Sequence, residues 1–199
     1  MAKTFSDKDY FEQSFKSIDG RGQIYSEISF EACDFSACDF SEASFASCRF
    51  LDCDFSGCNL SSVQLSGCRF NDTRFKKCKI LGVQWSKVSW PNIVLENLVS
   101  FDECILNDSS FHSVILKGLK LVDCRVLDVD FREGNFAAGD FSYSNFEGCL
   151  FNSTVLSEVN FCEASNYAID IQFNIIKGAK FSRLEALSLL NGLDIELFD

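Results

Sequence analysis

A chain of 199 residues with 47% hydrophobic content has the size of one domain and enough apolar material for a continuous core. Its formal net charge of −11 argues against direct nucleic-acid binding, because phosphate contact needs an excess of Lys and Arg. The opening residues contain no apolar stretch of the secretory type, and no later run approaches the length that crosses a bilayer, so the chain is expected to be cytoplasmic.

In chain order, large apolar residues already stand five apart at Phe5, Tyr10 and Phe15, but Gly20 breaks the series. Lys8, Gln13 and Gln23, each two residues before an anchor position, would be poor interior residues. Residues 1–24 are therefore expected to cap the N-terminal end of the core.

Over 25–95 the period of five is strict. Its anchors are Phe30, Phe35, Phe40, Phe45, Phe50, Phe55, Leu60, Leu65, Phe70, Phe75, Ile80, Trp85, Trp90 and Leu95. Two residues before most anchors stands a small residue, as in Cys33, Cys38, Ala43, Cys48 and Cys53. A period of five is neither the 3.6 of a helix nor the 2 of a strand, so the chain must turn at every repeat to keep its anchors inside. Turning once per five residues produces a stacked solenoid. The anchor and its i−2 partner point inward, and phenylalanines of successive coils stack at about 4.8 Å.

The phase of the cysteines decides their meaning. Of eleven, all but Cys162 occupy an i−2 position. A spacing equal to the repeat period predicts buried, reduced thiols that behave as small hydrophobes, rather than a disulfide framework or a zinc site. Within this block Arg69, Arg74, Lys76, Lys77 and Lys79 form a basic cluster opposed by Asp72, which reads as a solvated ridge or as a local contact patch.

Between Leu95 and Phe101 the spacing is six, just after Pro91, the chain's one proline. A one-residue phase shift at 96–100, with a bulge or slight kink, is expected there. The second coil block, 101–182, resumes with Phe101, Leu106, Phe111 and Leu116, and its charge differs from the first. Residues 123–170 hold nine carboxylates and only two cations, Arg125 and Arg132. His112 is the one histidine and has no paired base, so a catalytic role for it is disfavoured.

After Phe161 the repeat decays at Asn166 and recovers at Ile171, Ile176 and Phe181. Ser182-Arg183-Leu184-Glu185 reads as a capping box. It predicts a short α-helix at about 183–191 with Leu184, Leu187 and Leu190 on one face. The alternating Leu193-Asp194-Ile195-Glu196-Leu197 predicts a terminal strand. One rod does not readily bury both elements. A two-fold dimer through Leu184, Leu187, Leu190, Leu193, Ile195 and Leu197 resolves this; a monomeric cap over the last coil is the alternative.

The segments Ala32-Cys33-Asp34-Phe35-Ser36, Ala37-Cys38-Asp39-Phe40-Ser41 and Gly57-Cys58-Asn59-Leu60-Ser61 resemble the pentapeptide repeat family. That resemblance implies an all-β fold, a right-handed quadrilateral parallel β-helix with four pentapeptides to a coil. The parts that are not repeat narrow it. Lys8-Asp9-Tyr10, Trp85 with Trp90-Pro91, Ser100-Phe101, Asn166-Tyr167 and the ending Leu189-Leu190-Asn191-Gly192-Leu193 are similar to the albicidin-resistance members, and more broadly to the quinolone-resistance members. Unlike the plasmid-borne quinolone-resistance members, this chain shows no long loop projecting from its coils.

The resemblance implies a non-enzymatic homodimer, joined at the C-terminus, that imitates duplex DNA, occupies DNA gyrase and relieves gyrase poisons. It implies no cofactor and no metal. On this reading the acidic surface facing gyrase comprises Asp128, Asp130, Glu133, Asp140, Glu147 and Glu158, their distribution over the four faces being open. The alternatives are a scaffold for a partner other than a topoisomerase, and an enzyme or metal protein built on the cysteines or His112.

Overall fold

Five residues make one side of a coil, and twenty bring the chain back to the same side. Phe30 lies in parallel register with Phe50 and Phe50 with Phe70, while Phe35, Phe55 and Phe75 align one side further on. A computed structural model describes residues 5–91, 98–193 and 195. It is the expected right-handed four-sided parallel β-helix, about eight turns long with one short terminal helix. Among the described residues no helix is long and apolar enough to cross a membrane.

The corners explain how a side can be so short. The second residue after an anchor adopts the left-handed conformation, as at Ala32, Glu42, Ser47 and Asp52, with φ of 51°, 60°, 54° and 49°. For a residue with a Cβ this conformation costs about 1 kcal/mol or more. It aims the N–H along the rod: Ala32 donates to the Leu51 carbonyl at 2.9 Å and Glu42 to that of Ser61 at 2.8 Å. These corners are therefore hydrogen-bonded to the next coil.

The core is the column of anchors and i−2 residues. Rings stack from coil to coil, with centroids 4.5 Å apart for Phe35 and Phe55 and 5.1 Å for Phe131 and Phe151. All eleven cysteines are free, and the ten at i−2 are buried. They are more than small hydrophobes, because each slot contains a carbonyl. The Cys53 thiol lies 3.5 Å from the Phe30 carbonyl, and Thr73, Ser109, Ser144 and Thr154 donate at the equivalent place. The slot selects a small residue that is apolar or carries one donor.

The N-terminal segment is a coil in its own right. Asp9–Phe11 pairs with Ser29–Glu31, and Ser14–Lys16 pairs with Asp34–Ser36. The cap itself is Phe5, buried against Tyr10, Phe15, Tyr25 and Phe30. Gly20 stands at an anchor position because a Cβ there would lie 2.6 Å from the Phe40 ring and 2.7 Å from the Tyr25 hydroxyl. Lys8, Gln13 and Gln23, at the open end of the coil, are exposed.

The interruption is larger than a one-residue shift. Thr73–Lys76 pairs with Val99–Asp102 and Gln84 bridges Ser110, an offset of 26 where the coils immediately before and after have 20. Six residues are added, one whole pentapeptide plus the remainder that a count modulo five detects. Ser89 still bonds in register to the Cys68 carbonyl, and Leu98 accepts from Thr73, so the addition falls between them. Leu95, Glu96 and Asn97 lie outside the described residues.

At the far end Tyr167, one residue after the expected anchor, fills the core beside Phe161 and Phe181. The terminal helix is 3₁₀ rather than α and spans Glu185–Leu193. A 3₁₀ helix places every third residue on one face. Ala186 and Leu189 turn inward, whereas Leu184 and Leu187 are exposed and Leu190 and Leu193 are half-buried. The expected capping box does not form. Ser182 instead bonds the Glu163 carboxylate and N–H, and the Glu185 carboxylate accepts from Asn166 N–H. Of the expected terminal strand, Ile195 is exposed and unassigned; Asp194, Glu196 and Leu197 lie outside the described residues.

Candidate partner-binding surface

Because the anchor and i−2 positions are interior, the partner-facing chemistry lies at i−1, i+1 and the left-handed corner. The six carboxylates picked out in sequence do not share one side. Asp128 sits on the corner between the Phe40 and Phe45 sides, and Asp130 on the Phe45 side bridging Ser110 and Leu150. Glu133 lies on the following corner, and Glu147 beside Asp128 one coil later. Asp140 and Glu158 belong to the Phe35 side and its edge, across the rod.

Their electrostatics differ too. Arg132 holds Asp130 through two hydrogen bonds of 2.9 Å, which keeps its carboxyl below the ordinary aspartate range and cancels most of its outward charge. Asp140 accepts from Ser142 at 2.7 Å and from Asn160 at 3.0 Å. Glu133 takes the Ser113 hydroxyl at 3.0 Å. Asp128 and Glu147 are exposed, and neither carboxylate has an ion pair among the described residues.

Reading every twentieth residue reveals what the linear window missed. Asp108 and Asp128 occupy the same corner on successive coils, about 4.8 Å apart along the rod. Glu103, Asp123 and Glu163 line another corner, with exposed Tyr143 between the last two. Like charges on adjacent rungs repel, so carboxylates without an ion pair, such as Asp108 and Asp128, gain from a cationic partner.

The basic cluster disperses. Arg74 reaches Asp72 at 2.7 Å, Asp54 at 3.4 Å and Asp52 at 3.6 Å; Lys76 pairs with Asp102 and Lys77 with Glu103. Arg69 and Lys79 fall on two other sides. Arg74, Lys76 and Lys77 are thus balanced by neighbouring carboxylates. His112 is partly exposed, 3.8 Å from the carboxylates of Asp130 and Glu133. No group of three His, Cys, Asp or Glu side chains among the described residues could hold a metal ion.

This is a solenoid whose interior is spent on packing and whose polar side chains lie on the four outer sides. A family profile described as a pentapeptide repeat region matches residues 28–98 and 83–161, and the chain belongs to the pentapeptide repeat family. Among solved structures it is similar to two trypsin-treated forms of QnrB1, a plasmid-mediated fluoroquinolone resistance protein. Each is 18% identical with a TM-score of 0.63; the alignments cover 96% of this chain and 99% or 97% of theirs. At that identity the likeness concerns the fold. No curated protein matches the chain in sequence.

Proposed function

We propose that this protein is a DNA mimic that binds bacterial DNA gyrase as a homodimer and protects it from poisons such as albicidin or quinolones. The observation that carries the reading is the unpaired acidic corner of Asp108 and Asp128, joined by Glu147, on a rod whose 123–170 segment holds nine carboxylates against two arginines. Regularly spaced negative charge on a rigid rod is what a DNA-binding surface recognises non-specifically. The fold shared with QnrB1, a fluoroquinolone resistance protein, points the same way. The exposed Leu184, Leu187 and Ile195 supply an apolar end for the two-fold contact.

A supercoiling assay with purified gyrase tests this. Titrated alone, the protein should inhibit supercoiling; titrated against albicidin or a fluoroquinolone, it should restore it, and the rescued poison names the inhibitor class. No effect in either arm would favour the second reading, a scaffold for another protein. One observation supports that reading: the ladder Ile115, Asn135, Val155 and Ile175 on the Phe30 side is uncharged, with both end isoleucines more than half exposed.

A further inference from the structure

On a chain of net charge −11, Arg49 and Arg69 stand on adjacent rungs of the Phe30 side, in register and facing the same way. Both are exposed, and neither guanidinium has a hydrogen bond or ion pair among the described residues, in contrast to Arg74, Lys76 and Lys77 one side away. Two guanidinium groups carried on adjacent rungs, whose backbones stand about 4.8 Å apart, repel unless an anion lies between them. They open onto a groove of about 320 Å³ that also contains the hydroxyl-bearing Ser29 and Ser47. Gly67, in the left-handed conformation at φ +68°, forms the near wall. A Cβ there would lie 3.3 Å from the Ser47 hydroxyl, so the glycine leaves that donor uncovered.

We propose that this groove binds the phosphate group of a small phosphomonoester. Two guanidinium forks and nearby hydroxyls suit a tetrahedral dianion with three terminal oxygens better than a carboxylate, which offers two oxygens and one charge. The groove has room beyond the phosphate for a compact, hydroxylated remainder. Its other end carries Asp9 and Glu27, the latter 3.7 Å from Lys8. Those carboxylates disfavour a polyanionic tail, so nucleic acid and polyphosphates are excluded from the class.

The test is a calorimetric titration of the full chain, in chloride buffer at constant ionic strength, with inorganic phosphate, glycerol 3-phosphate, ATP and duplex DNA. Glycerol 3-phosphate should bind saturably, at least threefold tighter than inorganic phosphate, with ATP and DNA weaker still. The double variant Arg49→Gln/Arg69→Gln should weaken it tenfold or more. Gly67→Asn, which tolerates the left-handed backbone but covers Ser47, should weaken it similarly, and Lys76→Gln should not. Circular dichroism confirms that each variant is folded. Equal affinity for the two small ligands would assign the site to free phosphate and overturn the ester. Tighter binding of DNA, an isotherm that does not saturate, or unchanged binding by the folded double variant would overturn the site.

Discussion

At the scale of a residue, the i−2 slot governs what the repeat tolerates. Burial pushes the Cys53 and Cys149 thiols up to about 12. A thiol whose folded pKa is raised binds its proton more tightly when folded, so its contribution is complete below the unfolded value, near pH 9, and is lost as pH rises toward 12. Denaturant melts under reducing conditions should therefore be flat from pH 7 to 8.5 and lose about 1 kcal/mol per such thiol by pH 10. The Cys53→Ser variant should show a shallower decline; a parallel decline would mean that other groups control alkaline stability. Gly139 sets the opposite limit. A Cβ there would lie 2.8 Å from the Leu119 carbonyl and 2.9 Å from that of Phe136. Gly139→Ala should cost about 1–3 kcal/mol in a chemical melt. The sequence shows that the slot is small; it does not show that the slot contains a carbonyl, because that acceptor comes from 23 residues earlier.

At the scale of an element, the terminal helix shows what sequence patterns hide. Leucines at 184, 187, 190 and 193 suit either an α-helix or a 3₁₀ helix over so short a span. The choice falls to the coil beneath, which takes Ala186 and Leu189 at a spacing of three. The capping pattern misleads for a related reason: Ser182 and Glu185 bond Glu163 and Asn166, which lie close only after the coil closes. The anchors, by contrast, were legible from Phe30 to Trp85 because each repeat imposes the same local demand. The interruption was legible only as a remainder of one, since a full inserted pentapeptide leaves the phase unchanged. Substituting the outward leucines, Leu184→Asp with Leu187→Asp, should convert a dimer to a folded monomer in light-scattering chromatography. A dimer that persists would place the interface elsewhere. Leu189→Ala should instead destabilise the terminal cap by about 2–3 kcal/mol.

At the scale of the molecule, about eight coils at about 4.8 Å make a rod about 40 Å long, and an end-to-end dimer about 80 Å. Duplex DNA of that length carries on the order of 45 charges, whereas the proposed dimer would carry twice −11. The proposed imitation must therefore be local. The sequence located the acidic half of the rod but not its sides, because the side of a residue depends on its position modulo twenty and on the six added residues. Folding separates Asp140 and Glu158 from Asp128 and Glu147, neutralises Asp130 and brings in Asp108.

The central claim is that the Asp108, Asp128 and Glu147 surface stands in for DNA. The most direct measurement is displacement of a fluorescent duplex from gyrase by the wild-type protein, by Asp108→Lys/Asp128→Lys/Glu147→Lys, and by Asp140→Lys/Glu158→Lys on the other side. Wild type and the second variant should displace the duplex with the same concentration dependence, and the first variant should need at least tenfold more protein while remaining folded. Equal displacement by all three, or none by the wild type, would contradict the account.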